Sequence, residues 1–440
     1  MNNSCLVSIC IPCRNGEEVI GYTLANLLKN DFPHEKMEII VGNHGSTDKT
    51  VEIVDQFQKE YPLIKIIDVP YLGPNRAFVR NRILDVAQGE IFICIDADIF
   101  VSRNFIQNHY DIHKNDKECL VAGYVYAKNS RTRSSVAVTS IDFSNINLST
   151  PLLKESSDCK DSREVRGILI DQENIFDLTE KKDVWRYFWS ANLSFSRHSY
   201  QLIGGFDERF VGWGIEDDEL AYRYYVSGKK FVFAGPAWAF HFPHPLKQLK
   251  IINDWRNNAL RFFEKWTNKE VELLYFFSLP SIGINLFERD LRYYPDNEML
   301  DDMVGFVEKR LEKGANERLC GFLMETEHAF KLGITKALLP FSPEKNPFDI
   351  DGCTFYPIYG IQMPFKDKSI PESIILADTL FSSGEVLLYL YLHEVNRVSE
   401  KVIVFLGKLS TTDEYQDNLD RFLNILQNIP FNNLQIVNLT

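Results

Sequence analysis

The chain has 440 residues, 45% of them hydrophobic and 25% charged, a balance that excludes a disordered or membrane-embedded protein and predicts two or three domains. A formal charge of -13 excludes nucleic acid as a partner, because a phosphate backbone is met by a basic field. Any phosphate held here is neutralised locally, and a bound divalent cation does that inside an acidic protein.

The N-terminus, MNNSCLVSICIPCRN, reaches only a short apolar run before Arg14, without the basic flank or length of a signal peptide. No later stretch supplies about 18 uninterrupted apolar residues. A cytoplasmic location is therefore expected, in line with eight cysteines of no framework-like spacing. Cys10 and Cys13 form a C-x-x-C pair, but no second pair follows at zinc-site spacing, and both are read as reduced structural thiols.

Residues 6–11 read as a strand, 17–29 as a helix, 37–41 as the next strand and 48–61 as a second helix, with Ser46 or Thr47 as its cap. Strands at 64–69 and 90–95 complete the set, with a helix over 75–87 between them. This alternation is the signature of an α/β, doubly wound, mostly parallel sheet with helices on both faces, so a ligand belongs at the carboxyl ends of the strands. Residues 127–183 are rich in Ser, Asp, Lys and Asn and read as a long excursion, of the kind that closes over substrate. From 270 to 339 the periodicity turns helical, most clearly in LLYFFSLPSIGINLFERDLRYY and MVGFVEKRLEKG. Strands are then expected at 373–377, 401–405 and 434–437, with helices at 384–398 and 413–427. The expected organisation is a catalytic domain over 1–267, a helical linker region over 268–340 and a small α/β region over 341–440. The last ends on a half-sized repeat, which predicts either a longer parent protein or a tail that docks on the rest.

Three segments carry chemistry. In IFICIDADIF a buried strand ends in Asp96-Ala97-Asp98, and two hard oxygen ligands held at a strand end suit Mg²⁺ or Mn²⁺ bound to a diphosphate. In GGFDERFVGWGIEDDELAYR, Glu216, Asp217 and Asp218 open a helix. Carboxylates there serve as ordinary capping, yet Gly204, Gly205, Gly212 and Gly214 crowd around Trp213, bringing backbone close to a ligand and letting the indole present its face. In AFHFPHP, His241 and His244 follow an apolar strand at 231–234, and one of them is a candidate metal ligand.

Together VSICIPCRNGEEVI, EIIVGNHGSTDKTVEIV, RAFVRNRILDVAQGEIFICIDADIF and GGFDERFVGWGIEDDEL resemble the family 2 glycosyltransferases of GT-A fold. The last block is most similar to the bacterial chondroitin-polymerase type and the β-1,4-galactosyltransferases. The resemblance spans residues 4 to 265 and implies roles position by position. Pro12, Arg14, Asn15 and Glu18 match the first-strand loop that packs on the nucleotide, and Arg76, Arg80 and Asn81 the polar helix beneath the diphosphate. Asp98 matches the direct metal ligand, Asp96 the residue near ribose and metal, and His241 the distal ligand, with His244 as second choice. Asp217, within Glu216-Asp217-Asp218, falls at the catalytic base, and Trp213 where the family contacts sugars. One departure stands out: Asn43 and His44 replace an acidic pair, so the carboxylate that reads uracil is missing, although Asn43 still offers a donor and an acceptor.

The implied activity is inverting, metal-dependent transfer from a nucleotide sugar, first of all a UDP-sugar, with Mn²⁺ or Mg²⁺ as cofactor and Asp217 as general base. Retaining relatives carry Glu-Asn where this chain has Glu216-Asp217, which favours inversion. The acceptor is left open between a glycan, a lipid-linked sugar and a Ser or Cys of a peptide, as are peripheral membrane association and homo-oligomerisation. Two rivals stand beside this reading. A nucleotidyltransferase requires a glycine-rich, Lys/Arg-bearing loop after the first strand, where only Arg14 and Gly16 stand. A non-catalytic sugar-binding module descended from a transferase is opposed by the intact carboxylates.

Overall fold

The computed structural model describes residues 5–128, 162–164, 174–181, 183–242, 248–268, 270–272 and 274, and, further along, 318–320, 332, 334–338, 346–356, 358, 360, 362–380, 385–406, 413–431 and 433–438. The chain divides into two units, Met1–Asn258 and Ala259–Thr440. The body of the excursion expected over 127–183, the helical stretches expected at 273–294 and 303–314 save residue 274, and His244 lie outside the described residues.

The first unit opens with β1 (Val7–Cys13), α1 (Ile20–Leu27), β2 (Met37–Asn43), α2 (Thr50–Glu60), β3 (Ile64–Asp68), α3 (Arg76–Val86) and β4 (Ile91–Ile95). All four strands run parallel, in the order β3-β2-β1-β4. Every residue of β2 and β4 is buried, which is why these strands read as unbroken apolar runs. Cys10 and Cys13 lie inside β1, and burial pushes the Cys13 thiol up to about 12, far from a reactive thiolate. The helix-start expectation is corrected at α2. Neither Ser46 nor Thr47 caps it; Asp48 Oδ1 accepts from the Thr50 backbone N–H at 3.0 Å, while the Ser46 and Thr47 N–H groups are drawn off by Asn43 and Asn15.

The unit continues through β5 (Ile99–Val101), α4 (Phe105–Asn115), β6 (Leu120–Lys128), β7 (Ser162–Glu164), β8 (Ile175–Asp177), β9 (Asn192–Ser196), α5 (Arg197–Ile203), α6 (Glu216–Val226) and β10 (Phe231–His241), and α7 (Gln248–Lys265) begins in it and runs past Asn258. Among the described residues ten strands form one sheet along β3-β2-β1-β4-β9-β6-β10-β5, with β7 on β6 and β8 on β10. The strand expected at 231–234 in fact continues to His241. Its register slips between Ala234 and Ala239, so the first part pairs with β8 and the last part with β5, setting His241 opposite Ile99. The bulge needs Gly123 beside it, because a Cβ there would stand 2.0 Å from the Ala237 carbonyl oxygen.

Beneath the sheet α4 buries two histidines. His109 Nδ1 lies 2.8 Å from Ser194 Oγ and its Nε2 3.0 Å from Asn192 Oδ1, while His113 Nε2 meets the same Ser194 Oγ at 2.8 Å. Burial holds His109 down at about 3 and His113 at about 4, so both are neutral in the fold. Unfolded histidines take up protons below about 6.5, which the folded pair resists, so stability present above that pH is lost as the pH falls toward 4. At pH 5 the loss is roughly 3–4 kcal/mol for the two together. Thermal melts between pH 7 and 5 should show this slope, and His109→Gln should flatten it; an unchanged slope would assign the acid sensitivity elsewhere.

In the second unit, β11 (Arg318–Cys320), β12 (Lys336–Leu338), β13 (Phe348–Ile350), β14 (Cys353–Tyr356), β15 (Ile370–Leu376), α8 (Glu385–Val398), β16 (Ser399–Leu406), α9 (Asp413–Gln427) and β17 (Leu434–Asn438) are described. Two of these strands, β11 and β12, stand inside the 270–339 stretch read as helical, too short to impose a period on the sequence. The sheet order is β13-β14-β12-β11-β15-β16-β17, and all pairs except β13 with β14 are parallel. Counting the parallel strands in sequence gives the doubly wound order 3-2-1-4-5-6.

Candidate active site

Strand β4 ends at the sheet's carboxyl edge and the chain turns through Asp96, Ala97 and Asp98 before β5. Because β10 pairs antiparallel with β5, its last residue returns to this turn, and the Phe242 N–H donates to the Asp98 carbonyl at 2.9 Å. Asp96, Asp98 and His241 thereby each offer a ligand atom within 4.8 Å of the others. His241 Nε2 lies 3.5 Å from Asp98 Oδ2, and its Nδ1 donates to the Phe242 carbonyl at 2.9 Å. That bond fixes the proton on Nδ1 and leaves Nε2 as the electron-pair donor. Two carboxylates and an imidazole are a donor set that fits Mn²⁺ or Mg²⁺.

Arg80 joins this turn to the acidic block. It is buried on α3, with Nη2 3.1 Å from Asp96 Oδ1 and Nη1 2.9 Å from Glu216 Oε1. Burial acts to raise Asp96, but Arg80 foremost, then Arg76 and His241, hold its carboxyl below the usual range. Glu216 opens α6, whose first turn carries Glu216, Asp217, Asp218 and Glu219 at the positive end of the helix dipole. No side chain caps this helix. Its N-cap, Ile215, sits at φ 77°, a costly conformation for a β-branched residue, after Gly212 and Gly214 at φ 94° and 86°. Both glycines are required, since a Cβ at Gly212 would stand 2.5 Å from Asp254 Cγ and one at Gly214 2.7 Å from the Trp255 ring.

The three acids of the block differ in surroundings. Asp217 is half-buried, and its Oδ2 accepts from the Ser190 backbone N–H at 3.0 Å and the Ser190 hydroxyl at 3.2 Å. Burial, with the neighbouring Glu216 charge, pushes Asp217 up to about 6. Asp218 is buried and raised well above its ordinary value by burial and then by Asp217. Glu216, facing Arg80, is also buried, so Asp217 is the member of the trio with access to a ligand. Ser190 had no sequence signal: it is a lone polar residue before a strand that the pattern does not announce.

The remaining positions sort into exposed and committed groups. Pro12 pairs across to Gly42 at the end of β1, while Arg14, Asn15 and Glu18 are exposed beyond it. Asn15, at φ 53°, accepts from the Thr47 N–H at 2.8 Å and so ties the first loop to the second. The Arg14 guanidinium lies 3.9 Å from the Tyr71 ring centre, and His44 packs on the same ring at 5.0 Å. Asn43 donates to Asp68 Oδ1 at 2.8 Å and accepts from the Ser46 N–H at 3.0 Å, so a carboxylate absent from position 43 stands beside it at the end of β3. Arg76 is exposed at the start of α3. Asn81 clamps the glycine-bearing loop, bonding Phe206 through both its N–H and its carbonyl and Glu208 through Oε1. Trp213 is 39% exposed on a loop that the Gly212 N–H fastens to the Pro74 carbonyl at 2.6 Å.

Residues 8–161 match the family model described as glycosyl transferase family 2, and residues 173–245 the one described as N-terminal domain of galactosyltransferase. The chain is 25% identical over 280 residues to validoxylamine A glucosyltransferase of Streptomyces hygroscopicus subsp. limoneus, covering 63% of this chain and 60% of that protein. It is 26% identical over 253 residues to chondroitin synthase of Escherichia coli, covering 55% and 35%. Among solved structures, S. aureus TarS is similar at a TM-score of 0.43 and 13% identity over 70% of this chain and 49% of that one. GalNAc-T7 with UDP, GalNAc and Mn²⁺ is similar at 0.46 and 16% identity, over 66% and 54%. The chain thus spans 60% and 65% of the two validoxylamine A glucosyltransferases that it matches. No helix among the described residues is long and apolar enough to cross a membrane. The two family matches lie one after the other within the unit that carries Asp96, Asp98, Asp217 and His241, and that unit is similar to the family 2 glycosyltransferases.

Proposed function

We propose that the first unit transfers a sugar from a nucleotide-sugar donor, first of all a UDP-sugar, to a hydroxyl of a glycan acceptor, with inversion and with Mn²⁺ or Mg²⁺. The observation that carries this reading is Asp217, a half-buried carboxylate raised to about 6 and joined through Glu216 and Arg80 to the Asp96, Asp98 and His241 group. Asp96, Asp98 and His241 would hold the cation, which neutralises charge on the leaving diphosphate when bound. Asp217 takes the proton of the acceptor hydroxyl as that oxygen attacks the anomeric carbon. Ser190 holds Asp217 by two donated hydrogen bonds. The exposed indole of Trp213 offers a face for an acceptor or donor sugar ring.

The base works as a carboxylate, so kcat/KM should fall as the pH drops through about 6. Ser190→Ala removes a donor to the charged form and should move that midpoint upward by roughly one unit. A pH–rate profile with an unmoved midpoint would leave Ser190 without this role. The whole reading is tested by incubating the protein with a panel of nucleotide sugars and Mn²⁺, with chelator as control, and by NMR of the product. Absence of turnover for every donor ends it, and a retained anomeric configuration ends the inverting mechanism.

A further inference from the structure

Arg80 is the most buried cation of the first unit's site, 1% exposed, and it touches both halves of the proposed machinery. Nη2 holds Asp96 Oδ1 at 3.1 Å and Nη1 holds Glu216 Oε1 at 2.9 Å, while the guanidinium carbon lies 5.3 Å from the centre of the Phe206 ring. The side chains of Asp96 and Glu216 come from separate elements of the unit: one follows β4, the other opens the helix that carries Asp217. A planar guanidinium can serve two carboxylates at a fixed angle, which a single ammonium cannot do. Its place beneath the diphosphate, implied by the resemblance, leaves no terminal nitrogen uncommitted to these two acids.

We infer that Arg80 is a positioning residue that couples the cation site to the base helix. It sets an oxygen of Asp96 against the first residue of α6, so the state of either end is felt at the other. Asp96 is shared between Arg80 and the cation. When Glu216 no longer anchors the guanidinium, Arg80 moves fully onto Asp96 and competes with the cation for it. Coupling of this kind is reciprocal, so an occupied cation site also steadies Glu216 and, next to it, Asp217. The inference rests on the reading that Asp96, Asp98 and His241 bind a divalent cation.

The test measures Mn²⁺ affinity of the full chain without donor or acceptor, by the electron paramagnetic resonance signal of free Mn²⁺. Asp98→Ala, which should lose binding, first verifies the site. A wild type that binds no Mn²⁺ removes the cation reading and this inference with it. Given binding, Glu216→Gln should weaken it by about fivefold or more, although Glu216 is no ligand. Asp218→Asn, a carboxyl-to-amide change in the same turn at an acid without an ion pair to Arg80, should stay within about twofold, well under the smallest usual coupling. In an Arg80→Lys background the effect of Glu216→Gln should vanish. Equal shifts for Glu216→Gln and Asp218→Asn would make the effect common to any carboxyl-to-amide change in this turn and overturn the role of Arg80, and this comparison stands even if Arg80→Lys does not fold. An undiminished Glu216→Gln effect in the Arg80→Lys background overturns it as well.

Discussion

Asp217→Asn should lower kcat by about 10³-fold, within the range that general-base catalysis contributes, while Mn²⁺-dependent donor binding stays within about twofold. The asymmetry follows from what the side chain touches. Asp217 Oδ2 is held by the Ser190 N–H and hydroxyl, and an amide oxygen accepts from both as a carboxylate does, so the loop before β9 keeps its place. What Asn cannot do is take a proton. Neutralising the position also relieves Glu216 of a like charge, so the variant should be no less stable than the wild type. Calorimetric titration of donor beside steady-state kinetics separates the outcomes. Loss of donor binding in step with turnover would make Asp217 a structural acid, and retained turnover would require another base.

The part of the site readable from sequence is the part written in local pattern. Strands β1, β2, β3 and β4 were legible within about two residues because buried parallel strands are continuous apolar runs separated by helical periods. Asp96 and Asp98 were legible because they interrupt such a run. Strand β9 was not: three of its five residues, Asn192, Ser194 and Ser196, are polar yet buried, and only the histidines of α4 and neighbouring backbone explain how that is tolerated. The length of β10 was hidden by Gly235 and Pro236, which read as an end and form a bulge. Arg80 reads as one more polar residue on a helix, and its burial becomes visible only when Asp96 and Glu216, 16 and 136 residues away, are brought to it. Ser190 is the same case in smaller form. Contacts that join distant elements leave no period in the sequence, and in this protein they are the ones that connect the cation group to the base.

Asp98→Ala should abolish the response to Mn²⁺ and lower transfer by roughly 10³-fold, since Lewis-acid stabilisation of a leaving group is worth several kcal/mol and each 1.36 kcal/mol is tenfold in rate. Asp98 is the better choice than Asp96 for this test, because Asp96 also pairs with buried Arg80 and its removal would leave that guanidinium with Glu216 as its one remaining carboxylate partner of the two described. Asp98 faces His241 at 3.5 Å, and its backbone carbonyl, which truncation leaves in place, accepts from the Phe242 N–H just past β10. His241→Ala should act in the same direction with a smaller loss, since two carboxylates remain to bind the ion. Measured together, the three responses discriminate cleanly. If Asp98→Ala and His241→Ala keep full Mn²⁺ stimulation, the ion sits elsewhere; if the wild type is fully active in chelator, the leaving diphosphate must be neutralised by side chains, with exposed Arg14 and Arg76 the nearest candidates by sequence and fold.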